Sequence, residues 1–154
     1  MDIFISNLID IAIQDNVKKL SVGAVILYEN RILILKRCPD DFMPNIYELP
    51  GGGLEKGESL FDALERELIE ETNFSINKVI GYIDHIDFSS YNGLLTRRFN
   101  FIVEPKLPLV IKLTEHVDHR WILPIESDQY EITTQTKKII RNVYDDNIHY
   151  FKYS

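Results

Sequence analysis

Cysteine, methionine and tryptophan are all scarce in this 154-residue chain, with one, two and one respectively. A lone Cys38 rules out an internal disulfide and suits a reducing cytoplasm, where it reads as a partly buried structural thiol. No apolar run approaches the roughly 20 residues that a membrane-crossing helix needs. The opening Met1-Asp2-Ile3-Phe4 has no basic segment ahead of its apolar residues, so a secretory leader is not expected. Positive charge is also in short supply: 17 Lys and Arg face 24 Asp and Glu, for a net charge of −7. That sign disfavours a nucleic-acid polymer or an anionic membrane as a partner. The sequence has no internal repeat, low-complexity tract or linker. At 45% hydrophobic content it can fill one core but not two, so a single domain over residues 1–154 is expected.

What the chain does have is concentrated between Gly52 and Phe74, GGLEKGESLFDALERELIEETNF. Ser59 is a good N-cap, and Asp62 three residues on can reach back to the free amides of a helix start. Leu60 to Thr72 contains no Gly or Pro, and Ala, Leu, Glu and Arg predict a helix there. At about 100° per residue from Leu60, the residues Phe61, Leu64 and Leu68 form an apolar stripe. Glu71 falls at about 20°, Glu67 at about 340° and Glu70 at about 280°. Acids on a solvated helix sit opposite the stripe; these three crowd its edge, where like charges raise one another's pKa. Carboxylate oxygens at i, i+3 and i+4 suit a hard divalent cation, Mg²⁺ or Mn²⁺, that also grips phosphates. Ahead of the helix, Tyr47-Glu48-Leu49-Pro50 leads into Gly51-Gly52-Gly53, a loop whose bare backbone can come close to a ligand.

The spacing Gly52-x5-Glu58-x7-Arg66-Glu67-Leu68-x-Glu70-Glu71-x-Asn73-Phe74 resembles the Nudix box, with Asn73 where the family has its last glycine. Asparagine tolerates the left-handed C-cap conformation best after glycine, so the departure falls on stability rather than chemistry. The resemblance implies an α/β fold, an α/β/α sandwich with a mixed central sheet and a catalytic loop-helix. It also implies a Mg²⁺-dependent (or Mn²⁺-dependent) hydrolase that cleaves the diphosphate of a nucleoside diphosphate linked to some group X. A nucleoside triphosphate or a modified nucleotide is the expected substrate. The alternatives are ADP-ribose, a nucleotide sugar, a dinucleoside polyphosphate, or a non-enzymatic nucleotide-binding module of the same fold. In the family the carbonyl before the box glycine, here Gly51, joins Glu67, Glu70 and Glu71 as a metal ligand. Glu58 and Arg66 form an ion pair bracing loop against helix, and Arg66 counts with the catalytic set. Glu67 is the first choice of general base and Glu115 the second.

Outside the box, Thr114 to Trp121 is the next charged segment; many relatives carry an acid just before a tryptophan-bearing strand. Glu115 is assigned there, with Asp118 as substitute, and His116 and His119 are expected at the surface or the substrate's edge. Arg37, Arg97 and Arg98 are assigned to substrate phosphate. Tyr91 lies near where dinucleoside polyphosphate hydrolases of the family carry a tyrosine. A proline that marks ADP-ribose hydrolases is missing, since positions 89 and 90 are both Ser. A short helix is expected over residues 3 to 15, with an extra strand or a dimer contact as the alternatives, and a closing helix from Thr133 to about Asp145. Strands are expected at Leu20–Tyr28, Arg31–Arg37, Lys78–Phe88, Leu95–Glu104 and His119–Leu123, with turns at Glu29-Asn30 and Asn92-Gly93. Monomer and homodimer both remain open.

Overall fold

Strand β1 (Lys19–Tyr28) buries six consecutive residues, which requires cover on both faces. A computed structural model, describing residues 2–152, supplies it. β1 pairs in parallel with β6 (Leu95–Pro105) along eight residues, and at its far end with β2 (Arg31–Arg37) through the hairpin at Glu29-Asn30. Both turn residues have positive φ, 50° and 64°, as a two-residue hairpin needs. β5 (Ile76–Ser89) is antiparallel to β6. Two short strands, β3 (Tyr47–Glu48) and β8 (His149–Tyr150), lie at the edges, giving the order β3-β2-β1-β6-β5-β8.

Alternate residues feed two apolar cores. Val22, Ala24, Leu33 and Phe101 face α1 (Ile3–Gln14) and α2 (Leu60–Thr72). Val25, Ile34 and Ile102 face α3 (Thr134–Arg141). The result is the expected α/β/α sandwich with a mixed sheet. Among the described residues no helix is long and apolar enough to cross a membrane.

Three elements differ from expectation. Gly51–Gly53 forms a short strand, β4, antiparallel to the first half of β1. Gly51 lies opposite Gly23, and a Cβ on Gly51 would sit 2.9 Å from Gly23 Cα, so only glycine lets the two backbones pair. β7 runs from His116 to Ile122 rather than starting at His119, because it pairs with β2 back to Arg37 across a bulge. α3 ends at Arg141, and Asn142–Tyr144 continues as a 3-10 turn.

Candidate active site

Helix α2 begins where its sequence says it should. Ser59 Oγ accepts from the Asp62 amide at 3.1 Å, and Asp62 accepts from the Ser59 amide. It ends at Asn73 with φ 70°, whose side chain donates to the Val110 carbonyl at 2.9 Å.

The three helix carboxylates are graded rather than equivalent. Glu71 is 4% exposed, Glu67 is half-buried and Glu70 is exposed. Glu71 Oε1 accepts from the Gly51 amide at 2.8 Å. That amide is turned out of the β1 ladder, and since a strand residue's N–H and C=O leave on the same side, the Gly51 carbonyl is turned out with it. Burial, reinforced by Glu67 and Glu48, pushes Glu71 up to about 8, against the opposing pull of Gly51 and His116. Glu67 is pushed up as well, chiefly by burial, with Arg66 pulling the other way. Its carboxylate packs flat on Gly52: a Cβ there would lie 2.5 Å from Glu67 Cδ.

Arg66 does more than pair with Glu58. Its Nε and Nη2 hold Glu58 at 2.7 and 2.9 Å, Nη1 reaches Glu67 Oε1 at 2.9 Å and Glu70 Oε2 at 3.2 Å, and Nη2 also donates to the Gly53 carbonyl at 3.0 Å. The guanidinium hydrogen bonds draw the Glu58 carboxyl down to about 2. One planar cation thus ties loop, strand and helix together, and sets Glu67 beside Glu70.

Two residues missing from the expected site complete it. Glu48 on β3 accepts from Arg37 Nη1 at 3.0 Å through Oε1, and meets His116 Nε2 at 2.8 Å through Oε2. The His116 Nδ1 lies 3.4 Å from Glu71 Oε2. His116 is therefore neither a surface nor a substrate-edge group, as its polar neighbours in sequence suggested. It is the first residue of β7, and pairing opposite Arg37 turns its ring inward. Burial disfavours its charged form, but Glu48 and Glu71 outweigh burial and the net shift is upward. Burial likewise pushes Glu48 up, and the His116 and Arg37 contacts more than reverse it. Only the short run Tyr47-Glu48-Leu49-Pro50 ahead of the glycines hinted at Glu48.

Glu115 is exposed beside this network. Its carbonyl accepts from the Cys38 thiol at 3.2 Å, and its charge raises the affinity of both Glu67 and His116 for a proton. Asp118 is instead engaged by the Tyr47 hydroxyl at 2.8 Å and by Arg120. His119 is half-buried on β7. Arg37 and Arg98 line a cleft of about 320 Å³ together with Phe42, Tyr47, Glu48 and Phe88, and Arg98 Nε donates to Ser21 Oγ, which itself donates to the Gly52 carbonyl. Arg97 is not brought there. Its neighbour in sequence faces the cleft, so strand alternation sends Arg97 to the other face, where it is 4% exposed and bound to Asp87 and Asp15. Tyr91 is almost fully exposed in the β5–β6 turn and makes no part of the cleft lining.

Donor chemistry decides whether a divalent cation fits. The groups around Gly51 and Gly52 are carboxylate and carbonyl oxygens, the donors hard cations take. The lifted affinities of Glu67 and Glu71 for protons, due chiefly to burial, are what a bound cation would offset. Among the described residues no three acidic, His or Cys side chains converge on one point. The residues fit such an ion by donor type.

A model of the NUDIX domain matches residues 17–143. An 8-oxo-dGTP diphosphatase of Escherichia coli (strain K12) is 39% identical over 57 residues, 37% of this chain and 44% of that protein. An RNA pyrophosphohydrolase of Campylobacter jejuni (strain 81-176) is 45% identical over 56 residues, 33% of this chain and 34% of that protein. The matched stretch thus spans less than half the length of these curated relatives. A solved NUDIX hydrolase from Nitrosomonas europaea superposes with a TM-score of 0.70 at 23% identity, covering 88% of this chain and 97% of that one, a likeness of fold.

Proposed function

The chain belongs to the Nudix family, and on that premise we propose that it hydrolyses the diphosphate linkage of a small nucleotide with the help of Mg²⁺ or Mn²⁺. A nucleoside triphosphate or modified nucleotide is the expected substrate. The observation that carries this reading is the buried Glu71 held against Gly51, with Glu67 seated on Gly52 beside it. Glu67, Glu70, Glu71 and the Gly51 carbonyl would hold the cation. When bound, it would neutralise charge on the diphosphate and acidify a water.

The chain's own groups supply the rest. Glu67 is the first choice to take the proton of the attacking water, a role its raised proton affinity favours. Glu115, exposed at the rim, is the second choice for that role. Arg37 and Arg98 border the cleft and would orient the phosphates. The aromatic Phe42 and Phe88 give a base an apolar surface in a space of about 320 Å³, within the lower range of small-molecule sites. Water would attack one phosphorus while the bridging oxygen leaves with the other phosphate. A nucleoside monophosphate and phosphorylated X, or pyrophosphate, would result.

The two curated relatives act, by their names, on an oxidised nucleotide and on RNA. Both similarities span only a third or so of this chain, and the net charge of −7 favours the small substrate. The test is phosphate and pyrophosphate release with Mg²⁺ across canonical and oxidised nucleoside triphosphates, ADP-ribose, nucleotide sugars, dinucleoside polyphosphates and a 5′-triphosphorylated RNA. Glu70→Gln and Glu71→Gln run alongside. Turnover of a small nucleotide, abolished in the Glu71 variant, supports the reading. Turnover of the RNA alone moves the substrate to a polymer. No turnover, with a nucleotide still raising the melting temperature, makes the chain a binding module.

A further inference from the structure

We propose that His116 is a positioning residue that fixes the rotamer of Glu71, with Glu48 as its anchor. The proposal rests on the hydrolase reading above. Glu71 is the deepest of the helix carboxylates, and each of its oxygens faces a group from a different element: the Gly51 amide of β4 at 2.8 Å and His116 Nδ1 of β7 at 3.4 Å. The imidazole is flat and rigid, so the place of Nδ1 is set by whatever holds Nε2. That holder is Glu48 Oε2 at 2.8 Å, and Glu48 is held in turn through its other oxygen by Arg37 at 3.0 Å. Arg37, Glu48 and His116 all sit on the paired strands β2, β3 and β7. The carboxylate of a helix residue is therefore oriented by the sheet.

A purely structural bridge would close both ends of the ring, and this one closes only one. The contact at Glu48 has full hydrogen-bond length, whereas 3.4 Å exceeds the usual 2.7–3.2 Å of an N–H···O bond. Nδ1 is buried without a hydrogen-bond partner. Glu71 can thus turn an oxygen toward a cation without breaking a strong bond, while the ring beside it denies the other rotamers. Groups that orient a ligand in this way typically set its metal affinity by 10–100-fold.

Full-length wild type, His116→Ala, His116→Gln and His116→Asn decide the matter, with Mn²⁺ affinity by calorimetry, kcat and KM for the nucleoside triphosphate turned over, and melting temperature. Glutamine places its amide near Nε2 and keeps the Glu48 contact; asparagine places its amide near Nδ1 and keeps the Glu71 contact. The expected result is Mn²⁺ binding weakened about 10–100-fold in the Ala and Gln variants, with kcat reduced at fixed metal and KM little changed. Asparagine, which keeps the Glu71 contact but loses the Glu48 anchor, should restore only part of the affinity, and more of it than glutamine does. If Ala fails to fold, the Gln and Asn pair still decides. The proposal is overturned if the variants lose melting temperature but bind Mn²⁺ like wild type, or if Gln rescues as well as Asn. Failure of the wild type itself to bind Mn²⁺ or turn over any nucleotide removes the hydrolase reading, and this proposal with it.

Discussion

Replacing Glu71 by glutamine should make the metal-free protein more stable near neutral pH while removing its response to Mg²⁺. Burial lifts Glu71 from 4.5 to about 8. An acid whose folded value is raised binds more protons folded than unfolded between those two values, so stability falls as pH climbs through that window and is unaffected below it. From 4.5 to pH 7 the accumulated penalty reaches about 3.5 kcal/mol at most, at roughly 1.4 kcal/mol per unit. The opposing charge of His116 and local relaxation reduce it, so a gain of about 1–3 kcal/mol is expected, or roughly 3–10 °C in melting temperature for a chain of this size. Glutamine also fits the site. Its Oε1 keeps the Gly51 amide. The assay is thermal unfolding in EDTA at pH 5 and pH 7.5, then with Mg²⁺ at pH 7.5. The variant should gain on wild type in EDTA at the higher pH only. Wild type alone should be stabilised by the cation, by about 2.7 kcal/mol at a hundredfold excess over Kd. A variant equal to or less stable than wild type in EDTA at pH 7.5 would refute the claim that Glu71 is a strained, cation-awaiting acid.

Gly52→Ala drives a Cβ into the Glu67 carboxylate and should cut kcat by about 100-fold, as an ångström of misplacement does, with the circular dichroism spectrum unchanged. Arg66→Met should lower the melting temperature at pH 7. Because the folded value of Glu58 is depressed to about 2, that deficit should be full above pH 4.5 and shrink as acid protonates Glu58 in wild type, which a pH series of melts reads directly. Asn73→Ala, forced into φ 70°, should lose about 1–2 kcal/mol. Asn73→Gly relieves the backbone but forfeits the Val110 contact and should stay within about 1 kcal/mol of wild type by urea unfolding. Arg97→Gln should lower stability and leave the nucleotide KM alone, since its donors bind Asp87 and Asp15.

The parts legible from sequence were those written in local order. Helix α2 with its Ser59 cap and Asn73 terminus, the Glu29-Asn30 hairpin and the long strand pair follow from capping, turn chemistry and two-residue alternation, each confined to neighbouring residues. The burial ranking of Glu71 over Glu67 over Glu70 agrees with their angles from the apolar stripe. What the helix angles missed was Phe61, which lies at the exposed margin of that stripe with its ring edge-on to Phe101 and Phe151. Arg97 and Arg98 are adjacent and chemically identical, so only the register of β6 against β5 and β1 decides which one meets the cleft.

His116 and Glu48 were illegible for a related reason. They are 68 residues apart; His116 stands among polar neighbours that describe a solvated loop, and Glu48 lies in a short extended piece that reads only as the approach to the glycines. Their meeting depends on β2 pairing with β3 on one edge and β7 on the other, which sets Glu48 opposite Leu35 and His116 opposite Arg37, two residues along. The box spells out the acids on α2 but says nothing of what holds the innermost one still. A helix carboxylate has several free torsions, and leaving it to solvent would scatter its oxygens over several rotamers. Fixing it from the sheet turns a mobile acid into a set direction, so the sharpest loss of metal affinity short of the acids themselves should come from β3 and β7. Glu48→Gln, which keeps an acceptor but drops the charge shared with Arg37 and His116, should therefore weaken Mn²⁺ binding more than Glu115→Gln does at the exposed rim. Calorimetry giving the reverse order would place the orienting role in the loop and not in the sheet.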